Sequence, residues 1–190
     1  MTGTEKALTA TAIAAGVVWA LSRSKGGQAV TVDAVAEVIR AGGAVVDALR
    51  PRGIRNNNPG NIDWIKDPAK RWRGMVALEP PGSVYGKGYA ARFGVFDTPA
   101  NGVRAIGKEL LLDATRGVRT VRALINNWAP PGENDTSSYV LRVAEYVDVG
   151  PDENIDIARN LVSLVAAIIK HEQGEQPYSS GELELWARAA

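Results

Sequence analysis

Two short segments, far apart in the chain, hold the residues best suited to chemistry. One is His171-Glu172-Gln173-Gly174, where a long apolar run with helical spacing gives out. A glutamate at the polar end of a buried helix keeps its carboxyl in a low-dielectric cleft, which raises its pKa and suits it to donate a proton to a leaving-group oxygen. On residue types alone a plainer reading is favoured, in which Glu172 completes the last turn before a glycine cap. The other segment is RGIRNNNPGN at 52–61. Three asparagines followed by Pro59 and Gly60 are turn chemistry, because Asn tolerates the left-handed region and bonds its own backbone. Their amides also offer the paired donors and acceptors that a sugar N-acetyl group or a peptide amide requires. A purely structural turn stays open. Glu133, in WAPPGEND at 128–135, is a further carboxylate. Its plainer role is a charge at the N-terminus of the helix that follows, where it suits the dipole.

Composition narrows the chemistry. With no cysteine and a single histidine, His171, the chain lacks a thiolate nucleophile, a disulfide framework, Cys-ligated zinc or iron–sulfur clusters, and the usual two- or three-His zinc sites. What remains is carboxylate chemistry, with no metal and no cofactor expected. Lys and Arg number 22 against 21 Asp and Glu, a net charge of +1 that gives no overall reason to expect nucleic acid as a partner. A length of 190 residues with 45% hydrophobic content suits one compact domain with a short appendage.

The elements that must position these residues fall into two regions, 1–50 and 51–190. Residues 7–21, ALTATAIAAGVVWAL, carry no charge, yet as a helix they fall short of the roughly 30 Å hydrocarbon thickness. The basic residues follow this run rather than precede it, unlike a secretory signal. A membrane anchor or signal-anchor, a helix packed on protein and a cleaved signal all remain open. Residues 32–49 read as an amphipathic helix weakened at Gly42 and Gly43, and Pro51 marks the boundary. Beyond it, the alternation in Arg92-Phe93-Gly94-Val95-Phe96 predicts short strands of a small irregular sheet. Thr98 caps a helix that begins with Pro99 and runs to about Ala114. Thr120 caps a second helix, which must end before Pro130 and Pro131. Asp135 or Thr136 caps a third, with Tyr139, Val140, Val143 and Tyr146 as its apolar stripe. The most apolar helix carries Ile155, Ile157, Ala158, Leu161, Leu164, Val165, Ile168 and Ile169, and it ends at Glu172. Seven cations, Arg50, Arg52, Arg55, Lys66, Lys70, Arg71 and Arg73, gather from the boundary into the early part of the second region. They match no single-strand-binding motif and read as a solvated rim or an anionic-glycan contact.

RGIRNNNPGNI, Trp-x-Gly at 72–74, Phe93 to Thr98 ahead of a helix, WAPPGENDTSSY and HEQGEQPY together resemble a family of bacteriophage and prophage proteins described as virion structural proteins or muralytic enzymes. The resemblance covers about residues 51–178. The order of these motifs also resembles the lysozyme-like superfamily, in which a catalytic glutamate at a helix end stands just upstream of the loop. Here no glutamate occupies that place. HEQGEQPYSSGEL instead resembles the helix-end glutamate segment of lytic transglycosylases, which implies a circular permutation. The resemblance implies a mainly α (α+β), lysozyme-like domain that cleaves the peptidoglycan glycan strand during phage entry or lysis. It makes Glu172 the general acid, places Asn57, Asn58 and Asn61 along the glycan cleft, and gives Trp128 and Tyr139 as apolar sugar platforms. In a two-carboxylate hydrolase Glu133 would activate water or act as nucleophile; a lytic transglycosylase can manage with one glutamate. Residues 1–50 would then anchor or assemble the domain against a membrane, other virion proteins or further copies of the chain. The competing expectation is a virion structural or wall-binding protein that keeps the fold without the activity.

Overall fold

The computed structural model describes residues 50–84, 87–132 and 135–190. The chain divides into two units, Met1–Arg50 and Pro51–Ala190, and the second is the one described. The apolar run at 7–21, the helix expected at 32–49 and Glu133 lie outside the described residues. Among the described residues, no helix is long and apolar enough to cross a membrane.

The second unit is mainly helical. It comprises α1 (Arg52–Arg55), β1 (Met75–Leu78), β2 (Gly82–Val84), β3 (Lys87–Tyr89), β4 (Gly94–Phe96), α2 (Pro99–Thr115), α3 (Val121–Trp128), α4 (Thr136–Val147), α5 (Leu161–Gln173) and α6 (Ser180–Ala187), with one 3-10 turn at Pro68–Lys70. Strand β1 pairs antiparallel with β4 through an irregular register, while β2 and β3 form a separate hairpin.

Local chemistry sets the helix boundaries. Thr98 accepts from the Asn101 amide at 3.3 Å, Thr120 from Ala123 at 3.2 Å and Asp135 from Ser138 at 3.2 Å, so each helix begins with a side chain on an otherwise orphan N–H. Helix α3 stops at Trp128 because Pro130 and Pro131 cannot continue it. Helix α5 ends at Gly174, whose φ of 71° is the left-handed cap that glycine adopts without steric cost.

Two differences from the expected elements have physical causes. Ile155 and Ile157 are buried, at 7% and 2% exposure, but they precede α5 instead of belonging to it. The Ile155 N–H donates to the Arg119 carbonyl at 2.8 Å, and Asp156 caps the local turn at Arg159, so the backbone there is held by tertiary and turn bonds. Helix α6, absent from the sequence expectations, starts at a capping box in which Ser179 and Glu182 bond each other's backbone N–H groups.

Helix α5 lies at the centre and packs against α1, α2, α4 and α6. Leu164, Val165, Ile168 and Ile169 are fully enclosed, together with Val103, Ile106 and Leu110 of α2 and Val121, Leu124 and Ile125 of α3. A smaller cluster of Met75, Phe96 and Ala105 joins the sheet to α2. Helix α5 is therefore apolar over most of its length, and the Glu172 carboxyl comes in its last turn, where the helix meets the loop at 56–61.

Candidate functional site

Two consecutive residues at the end of α5 grip that loop. Glu172 Oε2 accepts from Asn61 Nδ2 at 2.8 Å, and Gln173 Nε2 donates to the Pro59 carbonyl at 2.7 Å. The close fit depends on glycine: a Cβ on Gly53 would stand 2.4 Å from Gln173 Nε2, and one on Gly60 would stand 2.8 Å from both Ile106 and Trp128.

The loop is held from within. Asn58, fully buried, donates to the Ile62 and Gly94 carbonyls at 2.8 Å each and accepts from the Ile62 N–H at 2.9 Å. Asn57 takes a φ of 51° and donates to the Phe96 carbonyl at 3.0 Å. These two asparagines were expected along a cleft. They instead tie the loop to β4: the half-buried Asn57 through its one bond to Phe96, and Asn58 through a full set, since an enclosed amide is stable only when its donors and acceptors are matched inside the protein. Asn61, with a φ of 50°, is the one that turns its amide to Glu172. Its Oδ1 is buried without a partner.

Glu79, which no sequence pattern singled out, completes the loop's support. Only 2% exposed, its carboxylate accepts from the Arg52 guanidinium, Asn56 Nδ2 at 2.8 Å, and the N–H groups of Arg92 at 3.0 Å and Phe93 at 2.7 Å. Burial alone would raise its pKa, but the bonds from Arg52, Phe93, Arg92 and Asn56 outweigh it and hold the carboxyl below the usual range. Arg52 and Asn56, at the start of the loop, are thereby tied to Arg92 and Phe93. Arg52 also lies over the Phe93 ring at 4.4 Å, and Arg71 over Trp64 at 4.1 Å, so part of the early basic cluster serves packing.

Gly60, Asn61, Arg92, Phe93, Trp128, Ala129, Pro130 and Glu172 enclose an open cleft of ≈ 430 Å³. Of these, Glu172 is the one carboxylate. Its proton affinity is raised by burial, against the opposing pull of hydrogen bonds from Asn61, Tyr139 and Trp128. Tyr139 was expected as an apolar platform, but it is 2% exposed and faces the interior. Its hydroxyl donates to Glu172 Oε1 at 3.0 Å, and its ring stacks on His171 at 3.5 Å between centroids, 8° from parallel. That burial and the adjacent carboxylate push its phenol pKa well up, so it remains a donor. Trp128 does line the cleft.

Carboxylate, amide and phenol thus form a three-residue unit: a glutamate with both oxygens addressed by neutral donors, ready to take up or release a proton beside an aromatic wall. No group of three or more His, Asp or Glu side chains suited to a metal occurs among the described residues.

A mainly helical module whose central buried helix delivers one glutamate to an open, aromatic-walled cleft is the class that this fold and site define. No protein-family model matches the sequence. Over 134 residues, spanning 70% of this chain and 78% of the relative, the chain is 31% identical to Protein P5 of Pseudoalteromonas phage PM2. It belongs to the family of that phage protein.

Proposed function

We propose that the chain cleaves the glycan strand of peptidoglycan during phage entry or lysis, with Glu172 as the general acid. The observation that carries this reading is the placement of Glu172: a carboxyl of raised proton affinity, oriented by Asn61 and Tyr139, in a cleft walled by Trp128, Phe93 and Pro130. A protonated Glu172 passes its proton to the glycosidic oxygen as the bond to the sugar C1 breaks. In the lytic-transglycosylase form, the carboxylate then takes the proton from the muramic acid's own hydroxyl as that oxygen closes on C1, leaving an anhydro sugar. In the lysozyme form a second carboxylate would act on water, and Glu133 is the candidate.

The same reading takes the domain as a permuted lysozyme-like fold. Its support is that the glutamate-bearing helix comes late in the chain, yet its end meets the asparagine loop across 111 residues. The phage relative supports a virion setting, with action at the cell wall and with residues 1–50 as the attachment to other virion proteins or membrane.

Incubating the full chain with purified peptidoglycan and analysing the products by mass spectrometry tests it. New muropeptides should appear, and Glu172→Gln should reduce their rate by roughly 100-fold or more, the usual scale of a general acid. An anhydro terminus marks the transglycosylase form. A folded parent that releases nothing overturns the enzymatic reading in favour of a structural or wall-binding virion protein.

A further inference from the structure

His171 stands beside the unit formed by Glu172, Asn61 and Tyr139, yet the chemistry proposed for the cleft makes no use of it. It is the single histidine of the sequence, half-buried, in the last turn of α5 directly before Glu172. Its Nδ1 is enclosed, with no hydrogen-bond partner among the described residues. A buried N–H without an acceptor is costlier than an unfilled lone pair, so the proton of the neutral ring belongs on Nε2 and Nδ1 stays bare. Such a nitrogen neither passes a proton to the cleft nor orients a neighbour. What the ring does use is its face, which lies 8° from parallel to the Tyr139 ring at 3.5 Å between centroids.

Consecutive residues project about 100° apart around a helix, so His171 and Glu172 reach Tyr139 from two directions. The imidazole covers the ring, while Glu172 Oε1 accepts from the hydroxyl at 3.0 Å. A tyrosine has only two side-chain torsions. With its backbone held in α4 and its ring plane held by a parallel neighbour, the direction of its hydroxyl is set. The imidazole does this while neutral. The charged groups acting on it are Arg142, on α4, and Asp135, the cap of α4: burial and Arg142 disfavour the imidazolium, Asp135 favours it, and the balance lowers its pKa. Lys170, its charged neighbour on α5, is exposed.

We infer that His171 is a positioning residue of the site, whose neutral ring braces Tyr139 and thereby keeps the phenol on Glu172. The inference rests on the reading of Glu172 as the general acid and adds to it the residue that holds the acid's orienting partner in place.

Titration of the Glu172 carboxyl by NMR in the full chain, its resonance assigned through Glu172→Gln, tests it. The bond from Tyr139 is among those that lower the Glu172 pKa, so His171→Ala should move the Glu172 midpoint upward, in step with Tyr139→Phe. A role confined to packing gives the reverse sign, because a gap at 171 admits water and relieves the burial that raises the midpoint. His171→Phe, which restores a flat ring without nitrogen, should return the midpoint to that of the parent. In a Tyr139→Phe background, His171→Ala should add no further upward shift. A midpoint that stays or falls in His171→Ala, or a His171→Phe chain that titrates as His171→Ala does, overturns the inference. The nitrogen NMR spectrum of the lone imidazole needs no variant: a bare Nδ1 at neutral pH is expected, and a protonated Nδ1 would overturn the inference by showing the nitrogen in use. The expected midpoints in a chain that releases no muropeptides would leave the brace standing while the catalytic reading falls; release of muropeptides with the midpoint indifferent to His171 would do the reverse.

Discussion

Asn61 and Glu172 meet side chain to side chain at 2.8 Å although 111 residues separate them. The amide donates to Oε2 while the Tyr139 hydroxyl donates to Oε1, so both carboxylate oxygens are addressed by neutral groups that favour the ionised form. Burial works against them and prevails, leaving the proton affinity of Glu172 above that of an ordinary glutamate.

The pH dependence of glycan cleavage follows from that contest. A general acid acts while protonated, so activity should hold above the usual carboxylate range and fall as pH rises through the raised pKa. Removing a donor removes a contribution that lowers the pKa. Tyr139→Phe and Asn61→Gly, the latter chosen because glycine tolerates a φ of 50°, should each move this alkaline limb to higher pH. A limb moved downward in both variants would contradict the arrangement.

Stability should fall with rising pH at the same residue as well. Between its unfolded pKa and its raised folded one, Glu172 keeps its proton in the native state and loses it on unfolding. Stability therefore declines with rising pH across that window. Glu172→Gln removes this liability, so thermal melting should show the variant more stable than the parent at neutral pH, with the advantage vanishing below the ordinary carboxylate range.

Glu79 behaves as the mirror case. Its folded pKa is held down, so its contribution is complete above the unfolded value and is lost as pH falls through the folded one. Glu79→Gln leaves Arg52 facing a neutral group and should cost about 3 kcal/mol at neutral pH, the scale of a broken buried pair, as read by urea denaturation. The difference should shrink on acidification.

Two helical glycines should respond to alanine with opposite signs. A Cβ on Gly102 of α2 would fall 1.9 Å from the Asn57 carbonyl oxygen, so Gly102→Ala must displace the asparagine loop or the helix and should cost roughly 3 kcal/mol. Gly181, in the first turn of α6, has nothing within 4 Å of such a Cβ, and Gly181→Ala should stabilise by about 0.5–1 kcal/mol. Chemical denaturation of both variants measures the contrast.

What could be read in advance was whatever the chain announces locally. Thr98-Pro99, Thr120 and Asp135 mark helix starts through side chains a few residues from the N–H groups they satisfy, and Gly174 marks an end in the same way. Helix α6 has an equally local signal in Ser179-x-x-Glu182, the capping-box spacing, directly after the segment that carries Glu172. Ile155 and Ile157 differ for another reason: their burial continues the apolar pattern of α5, but the Ile155 N–H donates to the Arg119 carbonyl and holds the backbone out of the helix, and periodicity reports burial without reporting backbone partners. The candidate site shows the same division. Glu172 and Asn61 could be named from the two segments, their meeting rested on a resemblance, and Tyr139 stood on the apolar stripe by its spacing and as a sugar platform by the resemblance, neither of which declares which group its hydroxyl meets. Glu79 was invisible, since its partners at 52, 56, 92 and 93 share no spacing with it.

The long separation between Asn61 and Glu172 also bears on how the cleft comes into being. A nascent chain emerges from the ribosome in order, and the loop at 56–61, the strands and helices α2 to α4 are all synthesised before the residue that faces them. Local helices form early, whereas a contact across so much sequence must wait for loop closure. The carboxyl group of the cleft is thus among the last parts of the module to arrive, and a translation product halted before residue 172 carries the walls of the site without its acid.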